Sequence, residues 1–262
     1  MIYDVVLPIY LFSVSLLATA LFLRYGYKFE GLFDKREFKR SETVLLVFFM
    51  GLAVALMVFM PSLAILVLVL SANSFLQFLL LYVITENKFL AALLPPVFIS
   101  SYFFFWNDLS LNFFAVLAVL SLSLLSGILF TWDTTILFAT LLTLMDVFHV
   151  FITRFMVVSG ERLIAMRLPV VVVTPTFPLE GRIVLGLGDV FLVCLLTIQT
   201  ARRGGLKSGV VSAATISLVF LIAESMLLTF SVGFFPATTI ISLAWGLSLI
   251  LNYIADSKKR KR

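Results

Sequence analysis

The sequence predicts an all-α polytopic membrane protein that crosses the bilayer with nine helices. Of the 262 residues, 62% are hydrophobic and 28 are phenylalanine, whereas soluble domains are close to half apolar. Nine apolar segments each approach the roughly 20 residues that a helix needs to span the hydrocarbon layer. The basic residues also divide between the connecting loops in the way that nine spans require.

The first six apolar segments follow one another with no soluble domain between them. They run over about residues 5–23, 44–60, 63–84, 89–106, 111–130 and 134–154. Pro61 ends the second segment, and Pro95 with Pro96 predicts a kink in the fourth that neighbouring helices must accommodate. These six helices form a first region, residues 1–158, which carries Asp146.

The connection between the sixth and seventh helices, residues 159–182, is predicted to hold two short elements. Residues 159–166 mix apolar and charged side chains in the way that a short helix at the membrane interface requires. Four consecutive valines then stand between two prolines, a pattern that favours an extended strand: Val170, Val171, Val172 and Val173. Three further helices, at about 183–200, 210–230 and 235–254, form a last region, residues 183–262, which ends in a basic tail.

The positions of lysine and arginine predict the orientation of the chain. Fifteen of the 19 lie on one side of a nine-helix arrangement, and the other four lie in the long connection: Arg154, Arg162, Arg167 and Arg182. We therefore expect an integral protein of the cell membrane with an extracytoplasmic N-terminus and a cytoplasmic C-terminus. The basic tail, residues 258–262, is expected to contact anionic membrane lipids rather than nucleic acid.

Composition restricts the chemistry that this chain can perform. Its single cysteine, Cys194, cannot form an intrachain disulfide, and its single histidine, His149, argues against a histidine-based metal site. We expect neither a metal nor a cofactor. Carboxylates within the apolar segments are therefore the first candidates for a functional site.

Two aspartates lie inside apolar segments, where an ionisable side chain is costly and marks a functional site. Asp146 is eight residues before Arg154, at the expected outer end of the sixth helix, and Asp189 is seven residues after Arg182, at the outer end of the seventh. At about 1.5 Å per residue, both carboxyls are expected roughly 10–12 Å below the outer boundary. Two antiparallel neighbouring helices would then bring them face to face.

Paired carboxyls have a well-defined chemistry. Two of them held close together in a low-dielectric site share one proton. One carboxylate can then act as a base on water while the other carboxyl donates a proton to the carbonyl oxygen of a peptide bond. This chemistry is that of aspartic proteases, and it needs no metal and no cofactor.

The sequence around these aspartates resembles a known family. Asp146 stands in Met-Asp-Val-Phe-His-Val-Phe and is followed 43 residues later by Asp189 in Gly-Leu-Gly-Asp. This pattern is similar to that of the GxGD intramembrane aspartyl proteases, the presenilin and signal peptide peptidase family. It looks closer to the signal peptide peptidase branch, and the compact chain resembles the archaeal members.

The resemblance covers nearly the whole chain, and the three family motifs lie between Leu144 and Thr238. They correspond to Met145-Asp146, to Gly186, Leu187, Gly188 and Asp189, and to Pro236, Ala237 and Thr238. Met145 replaces the family's tyrosine and Thr238 replaces its leucine, so substrate positioning is expected to differ, while both catalytic groups are present.

The resemblance implies a presenilin-like fold in which helices 1–6 wrap around helices 7–9. It also implies cleavage of transmembrane peptide segments, such as remnant signal peptides, by an Asp146/Asp189 dyad. The active site would be shaped by Gly186, Leu187, Gly188, Pro236, Ala237 and Thr238. A strand ahead of helix 7 is where substrate is thought to dock in the family, so residues 170–173 are candidates for that role by strand addition.

Other interpretations of the same residues remain. The valines can be a linker that packs its side chains, and the two glycines can serve helix packing alone. The aspartates can form the ion site of a proton- or ion-coupled transporter, or belong to a prepilin- or preflagellin-type GxGD peptidase. His149 lies one turn after Asp146, and Glu224 is expected to face a polar crevice or to pair with an arginine or serine, outside the catalytic set.

Overall fold

The computed structural model describes residues 3–32, 36–178, 180–230 and 235–260 and is 83% helical. Its helices are α1 (Val6–Leu32), α2 (Arg40–Phe59), α3 (Ser62–Thr85), α4 (Lys88–Phe104), α5 (Asp108–Leu129), α6 (Trp132–Val147), α7 (Phe155–Ala165), α8 (Leu187–Thr229) and α9 (Ala237–Arg260). Two strands, β1 (Val171–Pro175) and β2 (Arg182–Gly186), lie between α7 and α8. By length and hydropathy, seven helices of the described chain are suited to cross a membrane, which confirms a helical membrane protein. The fourth predicted span, α4, is shorter, with 17 residues.

Polar side chains fix where several helices begin. The Asn107 side chain accepts a hydrogen bond from the Ser110 N–H at the start of α5, and Thr131 does the same for Thr134 at the start of α6. Such N-caps satisfy backbone donors that the first turn of a helix leaves free. Helix starts near these residues are therefore determined locally, by the sequence.

The long helix α8 is a hairpin of two helical halves. Its 43 residues would extend about 64 Å if straight, twice the thickness of the hydrocarbon layer. The chain reverses at Gly205, whose φ of 81° and ψ of 173° are almost exclusive to glycine. As a result, Gly209 packs directly on Ala201. The two halves correspond to the predicted seventh and eighth helices.

The first half of α8 is the centre of the molecule. Every residue of this half from Asp189 to Ala201 is buried, and α8 packs against α1, α5 and α9. The Gln199 side chain donates to the carbonyl oxygens of Gly127 and Phe130 at the end of α5. A helix that is apolar on all sides is expected in such a position.

The connection between α6 and α8 folds into a helix and a hairpin. The predicted short helix is α7, although it begins at Phe155, before residue 159. Strands β1 and β2 are antiparallel, with Val172 opposite Leu185 and Val173 opposite Val184. The prediction that the seventh helix begins at residue 183 is therefore wrong, because residues 182–186 form β2 and the helix begins at Leu187. The last region accordingly begins with a strand.

Charged side chains mark two opposite ends of the molecule. At the basic end, Arg202 donates to the carbonyl oxygens at the end of α5, and Lys28 pairs with Glu86 at the end of α3. At the sheet end, Asp108 at the start of α5 pairs with both Arg167 and Arg182. The two groups of basic residues that the sequence predicts thus lie at two opposite ends of the molecule. Lys35, Lys261 and Arg262 lie outside the described residues.

Candidate active site

Asp189 lies in the first turn of α8, immediately after β2. Gly186 is the last residue of the strand and stands at the N-cap position of the helix. The N-terminus of a helix presents free N–H groups and a partial positive charge, which favour a carboxylate there. Only 7% of the Asp189 surface is exposed. The switch from strand to helix therefore places one acid at a buried helix start.

Asp146 lies in the last turn of α6, where the backbone changes its winding. Residues Phe148–Ile152 form a π-helical turn, closed by a hydrogen bond from the Thr153 N–H to the Phe148 carbonyl. Such turns are frequent at functional sites. The carboxyl of Asp146 is buried, with 4% of the residue exposed. His149 hydrogen-bonds Thr153 at 3.1 Å and is therefore engaged within its own segment.

The structure brings Asp146 and Asp189 close enough for their carboxyls to interact electrostatically. Thr238, near the start of α9, lies beside Asp146. Its buried hydroxyl stops short of a well-formed hydrogen bond with any described residue. Two buried carboxyls that interact in this way favour sharing one proton, since two negative charges would repel. The residues of all three motifs therefore meet in one place.

The two glycines of the motif have different surroundings. A Cβ added to Gly186 would lie 3.1 Å from an Asp189 carboxylate oxygen, whereas one added to Gly188 would meet no atom within 4 Å. Gly186 thus permits the close approach of the carboxylate to its own backbone. Gly188 leaves open space.

That open space belongs to a cavity of about 350 Å³ in front of Asp189. The cavity is mostly apolar and is enclosed by α2, α7, both strands and the residues before α9. Predicted site residues contribute much of its wall: Val170, Val171, Gly186, Leu187, Gly188, Asp189, Pro236 and Ala237. Within the described chain, Asp146 is not part of this wall. Asp189 therefore faces the cavity directly, whereas Asp146 does not line it.

The outer edge of β2 is open beside this cavity. The Val173 N–H and carbonyl are bonded to the Asn112 side chain of α5, so they point away from β2. Antiparallel pairs alternate between bonded and non-bonded, so the N–H and carbonyl of the opposite residue, Val184, point away from β1 as well. In the part of the chain that the structure describes, the sheet has only two strands.

Three of the predicted docking valines, Val171–Val173, are on β1 and Val170 lies in the turn before it, whereas the open edge is on β2. Val172 is fully buried and Asn112 covers the outer side of Val173, while Val184 lines the cavity. Sequence reasoning missed β2 because Ile183, Val184 and Leu185 continue without interruption into the apolar helix. A short apolar run of this kind does not distinguish a strand from a helix.

Met145 packs against α2. A Cβ on Gly51 would lie 2.8 Å from the Met145 sulfur and 3.2 Å from a ring nitrogen of His149. Both side chains therefore face Gly51, and α2 approaches α6 closely beside the dyad. The flexible thioether fills this contact, as methionine does in irregular packing.

No protein-family model matches this sequence, and no curated protein is significantly similar to it. The function therefore has to be argued from the two aspartates, the cavity and the open strand edge.

Proposed function

We propose that this protein is an intramembrane-cleaving aspartyl endopeptidase of the presenilin and signal peptide peptidase family. Its substrates would be transmembrane peptide segments, such as remnant signal peptides. The main support is that two buried aspartates from separate helices interact beside a cavity and an open strand edge. Structural carboxylates alone would not need the cavity or the edge.

The dyad would hydrolyse the peptide bond with water and one shared proton. The ionised carboxylate removes a proton from water, and the hydroxide attacks the peptide carbonyl while the other carboxyl donates its proton to the oxygen. The tetrahedral intermediate then breaks its C–N bond: the amine leaves with a proton from the dyad, and one hydroxyl of the intermediate gives its proton back to the dyad as the product carboxyl forms. The dyad returns to one proton, so neither a metal nor a cofactor takes part.

Strand addition on β2 would expose the peptide bond to this attack. A transmembrane helix hides its peptide groups, so a substrate must unwind before cleavage. The outward N–H and carbonyl of Val184 can pair with such an extended segment. Gly186 then leads from that edge directly to Asp189.

A second support for the proposal is the direction of the chain. Basic residues cluster at one end of the molecule, which would face the cytoplasm by the positive-inside rule. The dyad would then be closer to the extracytoplasmic side, and substrates would have a cytoplasmic N-terminus. Tagged reporters inserted in both directions would test this preference, and equal cleavage of the two would contradict it.

The decisive experiment is cleavage of a membrane-spanning reporter by purified protein in lipid vesicles. Asp146→Asn and Asp189→Asn preserve side-chain volume, and we expect each to lower cleavage at least about a thousandfold, because the dyad works as a unit. Asp133→Asn, at an exposed residue paired with Arg40, is the matched control and should cleave as the wild type does.

Other outcomes would favour the other interpretations. A wild type that cleaves no member of a reporter panel, but drives ion uptake that both asparagine variants abolish, would indicate a transporter. Cleavage of the reporter only at its cytoplasmic membrane border would indicate a prepilin-type peptidase. Full cleavage by either asparagine variant would refute the dyad.

A further inference from the structure

A second cavity, of about 290 Å³, adjoins the cavity at the dyad. It lies between α1, β2, the second half of α8 and the start of α9. The two cavities share Val184, Leu185, Phe235 and Ala237 as walls. A peptide on the open edge of β2 would therefore pass both, so the second cavity is positioned to take one of its side chains.

Glu224 is the acidic residue in the wall of this cavity. Only 6% of its surface is exposed, and both carboxylate oxygens are buried with no hydrogen-bond partner among the described residues. A buried polar group without a partner is rare because it loses its bonds to water and gains none. Glu224 thus has two acceptor atoms that bond to no described residue and that a group entering the cavity can use.

The nearby charge excludes an acidic occupant. Asp4 is close enough to Glu224 to interact electrostatically. The oxygens of Asp4 already accept hydrogen bonds from the backbone N–H groups of Val6, Leu7 and Phe177. Asp4 therefore adds negative charge beside Glu224, whose own oxygens accept no hydrogen bond from a described residue. A cation is favoured by both carboxyls.

The remaining walls are apolar. They include Leu7 of α1, Phe220, Leu227 and Leu228 of α8, and Ile240 of α9. A lysine side chain matches this combination, because its four-carbon stem packs on apolar surface and its ammonium group carries three donors. A lysine that pairs with a buried carboxylate is also held more firmly than one on an exposed surface.

We propose that this cavity is a substrate subsite that binds a lysine side chain through Glu224. The proposal rests on the proposed protease function, because the lysine belongs to the segment that is cleaved. Strand residues are spaced about 3.3 Å apart, and the cavity faces residues 183–185, just before the dyad. The recognised lysine is therefore within about five residues of the cleaved bond.

The test uses pairs of fluorescent transmembrane reporters that differ at one position. One member has lysine and the other has methionine, which has a similar stem without the charge. The position is scanned over five residues on each side of the cleaved bond. At one position we expect the wild type to cleave the lysine reporter with a kcat/KM at least about tenfold higher than that of the methionine reporter.

Variants of Glu224 then identify the partner of the lysine. Glu224→Gln should abolish the preference, so that the lysine and methionine reporters are cleaved with equal kcat/KM. Glu224→Lys should reverse it, in favour of a reporter with glutamate at that position. Glu86→Gln changes an exposed glutamate at the basic end and should keep the wild-type preference. If Glu224→Gln fails to fold, Leu227→Trp would fill the cavity from the next turn of the same helix and should remove the preference.

Binding separates this proposal from the proposed protease function. Fluorescence anisotropy with the Asp189→Asn variant measures affinity for each reporter without turnover, and the lysine reporter should bind about tenfold more tightly. A wild type that cleaves nothing but shows this difference would refute the protease and retain the lysine site. Equal affinity for both reporters at every position, or an unchanged preference in Glu224→Gln, would refute the site.

Discussion

Gly186 and Gly188 show how two identical residues in one motif serve different purposes. The missing side chain of Gly186 lets the Asp189 carboxylate approach the backbone, whereas the missing side chain of Gly188 leaves cavity volume. The sequence predicted that both glycines matter for close packing. Only the structure distinguishes contact with the Asp189 side chain, at Gly186, from open cavity space, at Gly188.

This difference predicts opposite effects of two alanine substitutions. Gly188→Ala should leave stability equal or raise it by about 0.5–1 kcal/mol, as alanine does within helices, but it should lower cleavage because the methyl group enters the cavity. Gly186→Ala should lower both, because its methyl group presses on the Asp189 carboxylate. Thermal unfolding and reporter cleavage measure the two properties. Similar losses of stability in both variants would contradict the assignment.

Thr238 gives a second prediction at this scale, since it lies beside Asp146. A hydrogen bond to a charged group contributes about 1.5–3 kcal/mol, and such a bond can tighten when substrate binds. Thr238→Val removes the hydroxyl with little change of volume. We expect kcat to fall about tenfold or more, with KM nearly constant.

Thr239→Val is the matched control for this measurement. Its hydroxyl is also buried without a partner among the described residues, but no interaction with Asp146 is present. Removing it should leave kcat unchanged and preserve or raise stability. Equal kinetic effects of the two substitutions would show that the Thr238 hydroxyl does not act on Asp146.

Helices were predictable from the sequence where the hydropathy pattern and the capping residues indicate the same boundaries. They were not predictable where one apolar run changes from strand to helix. Helix α5 was expected at 111–130 and extends over Asp108–Leu129, with Asn107 as its cap. Strand β2 was missed because its apolar residues lead directly into α8. It forms a strand only because it pairs with β1, and no local sequence pattern reveals that pairing. The depth estimate for Asp189 also assumed a helix from Arg182, and that assumption is wrong because residues 182–186 are extended.

The open edge of β2 predicts an effect of proline at Val184. Because the Val184 N–H points away from β1, Val184→Pro removes an edge donor without removing a bond of the hairpin. We expect thermal stability to change little and reporter cleavage to fall at least about tenfold, the effect of losing a hydrogen bond on which binding depends. Val184→Ala retains the N–H and should retain most activity. Full cleavage by Val184→Pro would show that substrate does not pair with this edge.

The reversal at Gly205 predicts a large effect of one methyl group on the α8 hairpin. At φ of 81° and ψ of 173°, a side chain costs about 1–3 kcal/mol, so Gly205→Ala should lower stability by that amount. Gly246→Ala in α9 is the matched control, because its Cβ would meet nothing within 4 Å. It should equal or exceed the wild type in thermal unfolding. Equal stability of the two variants would contradict a required reversal at Gly205.

At the scale of the whole molecule, charge was more informative than any local pattern. The separation of the basic residues followed from counting spans, and the structure shows the two ends that this count requires. The candidate site was predictable only in part, because some of it depends on how distant helices pack. Motif spacing identified Asp146 and Asp189, but the cavity at Glu224 depends on how α1, α8 and α9 pack together. No sequence pattern predicts such packing.

Orientation in the membrane is the prediction that belongs to the entire chain. Glu37 is exposed at the basic end and Glu180 is exposed beside the hairpin at the sheet end, while the single native cysteine, Cys194, is buried. In intact cells, a membrane-impermeant maleimide should label Glu180→Cys, because the sheet end faces outward when basic loops stay inside. Glu37→Cys should react only after the membrane is permeabilised, and the unaltered chain should react in neither state. Labelling in the reverse order would place the dyad near the cytoplasmic side, and the preferred substrates would then have an extracytoplasmic N-terminus.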